Sequence, residues 1–202
     1  MPNAALKDCQ PVQGESYYLD TSAVMALLNV EANNQKVKIP GEELARGRLV
    51  VDFTSRAKLV GALLTTSILA IEEIAAKYRG LIRAARAKAN GYATWKDFKT
   101  GNPPAAAIED EVARKEMFLR LKWTTKKLGS TQVRLATPEV AAANIHSAAE
   151  TMRCSHLKLL EDHPSLDAMD ALHIVIGTDL GATRFVSFDR GWDVVPSITV
   201  YN

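Results

Sequence analysis

Short apolar runs of β character alternate with longer helical stretches along most of the chain, and this alternation restricts the fold more than any other feature. Strands are expected at residues 16–20, 62–66, 133–136, 184–187 and 198–201. The first helix follows the cap residues Thr21 and Ser22 and breaks at Asn33-Asn34-Gln35. A second opens at Pro40-Gly41 and stops at Gly61. A third runs from Ser67 to about Asn90-Gly91, and a fourth reaches about Leu128. The fifth starts at Thr137-Pro138-Glu139, with proline at the first helical position, and runs to about Met152. The last runs from about Leu166 to Leu180 and is stopped by Gly181. Strands separated by helices pair in parallel, so the expectation is an α/β fold with a mainly parallel sheet. Residues 1–15 read as a loose lead-in. Residues 91–105, with Gly91, Gly101 and Pro103-Pro104, read as a loop.

The 202 residues suit one domain, here residues 16–202, with residues 91–130 as a helical insertion or arm. No apolar run reaches the roughly 18 residues of a membrane span. The first fifteen residues lack the apolar core of a signal peptide, so the expected location is cytoplasmic. Cys9 and Cys154 make no disulfide framework. The net charge of +2 conceals an asymmetry, because residues 77–127 hold 13 Lys and Arg against 5 Asp and Glu. A basic segment in a chain with acidic clusters elsewhere suits a polyanionic substrate reacting at metal ions; a solvated helical face is the plainer alternative.

Four carboxylates stand at element boundaries beside strongly apolar sequence: Asp20, Glu73, Asp170 and Asp189. An unpaired charge in such surroundings is costly. Asp20 ends the first strand, and Asp189 follows the fourth. Glu73 lies in the second turn of the helix after the second strand, and Asp170 near the start of the helix that feeds the fourth. In open parallel sheets reacting groups gather at the carboxyl ends of the strands, so all four are expected at one sheet edge. Two ionised carboxylates about 4 Å apart repel by about 1 kcal/mol in water and about 4 kcal/mol at an effective dielectric of 20. A cluster of four therefore needs protons or cations, and oxygen-only ligands favour Mg²⁺ or Mn²⁺ over zinc.

Each acid also has a simpler role open to it. Asp20 can cap the first helix, and Glu73 can pair with Lys77 one turn on, with Glu72 its rival. Asp189 can serve a turn before Arg190-Gly191. Asp170 is hardest to explain this way, because its helix is apolar on most sides.

The pieces Leu19-Asp20-Thr21-Ser22-Ala23, Thr66-Ser67 with Glu73-Ile74, Asp170-Ala171-Leu172-His173-Ile174 and Phe185-Val186-Ser187-Phe188-Asp189 together resemble the PIN-domain family, metal-dependent ribonucleases that include the VapC-type toxins. The resemblance spans residues 16 to about 193, in the family's order. It implies a three-layer α/β/α sandwich, Mg²⁺ or Mn²⁺, and hydrolysis of RNA phosphodiesters. Asp20, Glu73, Asp170 and Asp189 match the family's acidic positions, and this match ranks Glu73 above Glu72. Ser22 and Ser187 match its small hydroxyl positions, expected to touch metal-bound water or substrate phosphate. For the toxin subgroup the resemblance adds an antitoxin protein, and for the family a homodimer. The chain departs in its length, mostly around residues 85–130, and in Asp193, which competes with Asp189 as fourth acid.

Other readings compete. A PIN-like module that holds RNA or a protein without cutting is the main alternative, and a small-molecule phosphatase a weaker one. Cys154, His156 and His163 offer zinc donors, but no second paired motif completes a tetrahedral site. His173, on an apolar helix, is expected to be packed. Trp95 and Trp123 fall in the basic segment, with burial in a helix interface favoured over base stacking.

Overall fold

A computed structural model describes residues 4–34, 39–136 and 145–202. The elements run β1 (Ser16–Leu19), α1 (Thr21–Asn34), α2 (Gly41–Val60), β2 (Leu63–Ser67), α3 (Ile68–Ala89), α4 (Trp95–Gly101), α5 (Pro103–Ser130), β3 (Val133–Ala136), α6 (Ile145–Asp162), α7 (Ala168–Asp179), β4 (Arg184–Val186) and β5 (Thr199–Tyr201). The fold is α/β, a three-layer α/β/α sandwich about one five-stranded sheet ordered β3-β2-β1-β4-β5, in which every pairing is parallel. No helix among the described residues is long and apolar enough to cross a membrane. The chain divides into two compact units, one of Met1–Ala70 with Leu128–Asn202 and one of Ile71–Lys127.

The first unit contains the sheet. Its centre is β1, whose consecutive tyrosines point to opposite faces, as the two-residue period of a strand requires. Tyr17 packs edge-on against Phe53 of α2, with ring centroids 5.3 Å apart. Tyr18 faces the other layer, beside His173 of α7 and Phe185 of β4. Around Tyr18 a buried cluster joins Ile174, Phe185, Trp192, Ile198 and Val200. Gly177 lets α7 settle onto this face: a Cβ there would lie 2.4 Å from Phe185 Cε1 and 2.9 Å from Tyr18 Cγ.

Three expectations change. The lead-in is not loose. Ala4 bridges to Tyr201, its amide donates to the Val200 carbonyl at 3.0 Å, and Leu6 N donates to the Asn202 carbonyl at 2.8 Å. Leu6 and Cys9 are buried, so this segment covers the free edge of β5 and adds an apolar anchor to the core. Helix α6 does not stop near Met152 but continues to Asp162, because Met152, Leu159 and Leu160 keep one apolar face that packs on the Tyr18 cluster. Its expected start at Thr137-Pro138-Glu139 lies outside the described residues.

The third change falls in the second unit. The expected loop at residues 91–105 contains α4. Thr94 caps it by accepting the Asp97 amide at 3.1 Å, and Phe98 is buried beside Ala87 and Ala106, with Tyr92 and Trp95 packed around it. The glycines and prolines only bound this helix. Within the same unit, Arg79 and Arg83 of α3 converge on Asp110 of α5 at 3.0 and 2.6 Å, and Arg86 pairs with Glu109 and Glu116. The basic segment is therefore partly neutralised internally. Lys88, Lys96, Lys99, Lys122 and Lys126 remain exposed, with no acidic partner among the described residues.

Candidate active site

Asp20 directly follows β1. Its amide extends the ladder to the Val186 carbonyl at 3.2 Å, and its own carbonyl accepts Val24 N at 3.0 Å, starting α1. Oδ1 accepts Ala23 N at 2.8 Å, so the side chain is also the cap of that helix. Ser187 Oγ donates to Oδ2 at 2.6 Å, and Ser22 Oγ lies 2.9 and 3.0 Å from the two oxygens. Both hydroxyls are oriented by backbone amides, Phe188 N donating to Ser22 Oγ at 2.8 Å and Asp189 N to Ser187 Oγ at 3.1 Å. A hydroxyl has one proton, and with the amides donating to these oxygens, both protons go to Asp20.

Asp20 is only 2 % exposed. Burial lifts its pKa to about 7; the Ser187, Ala23 and Ser22 donors oppose that rise, and the Asp189 charge adds to it. This is an acid held by three donors that favour its charged form, in surroundings that penalise the charge.

Asp170 stands in the first turn of α7, where Asp167 caps the helix by accepting Met169 N at 2.8 Å. The Asp170 carboxyl is half-buried, and its pKa is raised by burial, lowered by the Trp192 indole, and raised again by Asp189 and Asp167. Trp192 Nε1 is buried and makes no hydrogen bond among the described residues. Gly191 lies on the same carboxyl, since a Cβ there would sit 3.3 Å from Asp170 Oδ2.

Asp189 is exposed and precedes the 3-10 turn Arg190–Val194. Its charge acts on both Asp20 and Asp170, which favours it over Asp193, also exposed, as the third acid of the set. No Lys, Arg or His forms an ion pair with Asp20, Asp170 or Asp189 among the described residues.

Beneath the acids lies a buried polar network. Tyr18 Oη meets Ser67 Oγ at 2.7 Å and His173 Nδ1 at 2.7 Å, while His173 Nε2 meets Thr21 Oγ1 at 3.2 Å. His173 is packed, as its apolar helix implied, and it ties α7 to the residue that follows Asp20.

No family model, no curated protein and no solved structure matches this chain. The site therefore rests on its own geometry.

Asp20, Ser22, Ser187 and Asp189 form one hydrogen-bonded set, and Asp170 is linked to it through the charge of Asp189. Glu73 lies in α3 within the second unit and is half-buried, whereas Glu72 is exposed. The hydroxyls of Ser22 and Ser187 are committed to Asp20, a role their positions in the sequence did not disclose. Of the zinc donors, His156 Nε2 lies 2.9 Å from the Ala168 carbonyl, and Cys154 is exposed. Carboxylate oxygens are the donors a hard divalent ion takes. Among the described residues, no three His, Cys, Asp or Glu side chains are close enough together to hold a metal ion.

Proposed function

We propose that this chain is a Mg²⁺- or Mn²⁺-dependent endoribonuclease of the PIN type, hydrolysing RNA phosphodiester bonds. The observation that carries the reading is the state of Asp20: buried, aligned by three donors and acted on by the charge of Asp189. Of the first unit's acids, Asp20, with Asp189 and Asp170, would be the donors to the ion. When bound, the ion supplies a Lewis acid for the phosphate and an activated water. Ser22 and Ser187 fix the Asp20 carboxylate, and the exposed lysines of residues 88–126 attract the phosphate backbone, so RNA binding weakens with salt. A cytoplasmic location, a homodimer and an antitoxin protein as partner belong to the same reading.

The capping bond from Ala23 N supports a second reading, a PIN-like module that binds RNA or protein without cutting, because a cap alone accounts for one Asp20 oxygen. Cleavage of single-stranded RNA by purified protein, in Mn²⁺ and in EDTA, separates the two. The nuclease reading expects metal-dependent cleavage that Asp20→Asn and Asp170→Asn abolish while both variants stay folded. Cleavage by both variants at the wild-type rate would sink it, and metal-independent RNA binding without cleavage would favour the module.

A further inference from the structure

We propose that α5 carries a binding ridge for single-stranded RNA, in which a base stacks on Phe118 and the phosphates on either side meet Arg114 and Lys122. Arg114, Phe118, Lys122 and Lys126 are spaced four residues apart, so they form one row along the helix surface, about 18 Å from end to end. All four are exposed, Phe118 by 60 %. The other aromatic rings of the second unit, Tyr78, Tyr92, Trp95, Phe98 and Trp123, are buried or half-buried. Phe118 is therefore the ring of the basic segment most open to a ligand.

A lone exposed apolar residue is ordinary. The surroundings of Phe118 set it apart. One turn before and one turn after it stand Arg114 and Lys122, and neither forms an ion pair among the described residues. Glu111, the acid beside the row, is already bound by Lys115 at 2.8 Å. A helix face that docks protein repeats apolar anchors at three- and four-residue spacing. Around Phe118 those positions hold the cations Arg114, Lys115 and Lys122, and the remaining one, Leu121, is half-buried. An aromatic ring between cations suits a chain that alternates π faces with phosphates, which is a single nucleic-acid strand. The inference rests on RNA as the ligand of the proposed function, and it needs no metal.

Binding is read in EDTA by fluorescence anisotropy, with the full chain, a labelled oligoadenylate and a labelled phosphodiester strand of the same length without bases. Phe118→Ala is expected to weaken oligoadenylate binding about 5–100-fold, the size of one base–ring stack, and to leave the baseless strand unaffected. Phe118→Trp is expected to keep the wild-type affinity. Arg114→Ala and Lys122→Ala are expected to weaken both strands and to lower the salt dependence by about one ion each. An equal loss on the two strands for Phe118→Ala would overturn the stack. Self-association of the wild type that Phe118→Ala abolishes, with RNA affinity unchanged, would assign the ridge to a protein interface instead. Wild-type protein that binds neither strand would sink the RNA reading itself, whereas oligoadenylate binding that Phe118→Ala leaves intact would sink the ridge alone.

Discussion

Ser187 Oγ donates a 2.6 Å hydrogen bond to Asp20 Oδ2 while accepting the Asp189 amide at 3.1 Å. One hydroxyl thereby joins two of the acids. Ser187→Ala removes a donor to a buried carboxylate and is expected to cost about 1–3 kcal/mol. The bond favours the charged form of Asp20, so the loss should be larger at pH 8 than at pH 5. Urea denaturation at the two pH values measures this; equal losses would contradict the assigned direction of the bond.

Asp20 also sets a pH dependence for the metal-free protein. Its pKa is raised from 3.8 to about 7, so the folded state binds the extra proton. Below the unfolded pKa there is no penalty. Between about pH 4 and 7 stability falls as pH rises, by on the order of 4 kcal/mol, and above that window the penalty is constant. In EDTA, Asp20→Asn should flatten this fall, and Mn²⁺ should restore stability to wild type at pH 8. Identical pH profiles for the two proteins would refute the assignment to Asp20.

Gly177→Ala tests the close seat of α7. The added methyl would meet Phe185 and Tyr18 below van der Waals distance, with no flexible side-chain end to yield. A loss of about 1–3 kcal/mol is expected, as for other overpacked cores. Because α7 carries Asp170, metal binding should weaken as well. A thermal midpoint within a degree of wild type would contradict the packing.

Phe98→Ala tests the second unit. Removing a fully buried ring should cost about 3–5 kcal/mol. Amide hydrogen exchange should show the effect at α4 and its packing partners Ala87 and Ala106. Unchanged protection at those sites would argue against the cluster.

The alternation of runs in the sequence disclosed all five strands, because each is a short apolar segment bounded by turn or cap residues. Helix α4 was hidden because Gly91, Gly101 and Pro103-Pro104 outweighed a cap that depends on Thr94 and Asp97 alone. The burial of Leu6 was hidden because its partners belong to the last strand. At the site, the positions of Asp20 and Asp170 followed from strand ends and helix starts. The direction of the Ser22 hydroxyl could not be read, because it is set by the Phe188 amide, 166 residues away in sequence. Trp192 is fully buried, and its indole nitrogen makes no hydrogen bond among the described residues.

The central strand has both of its neighbours far away along the chain, β2 on one side and β4 on the other. Contacts of such long sequence separation form late and slowly. The Asp20–Ser187 bond spans 167 residues, so a chain still emerging from the ribosome carries Asp20 for most of its synthesis without the hydroxyl that orients it. A nascent fragment therefore has no assembled acid site, and any activity of this site is confined to chains whose synthesis has passed β4.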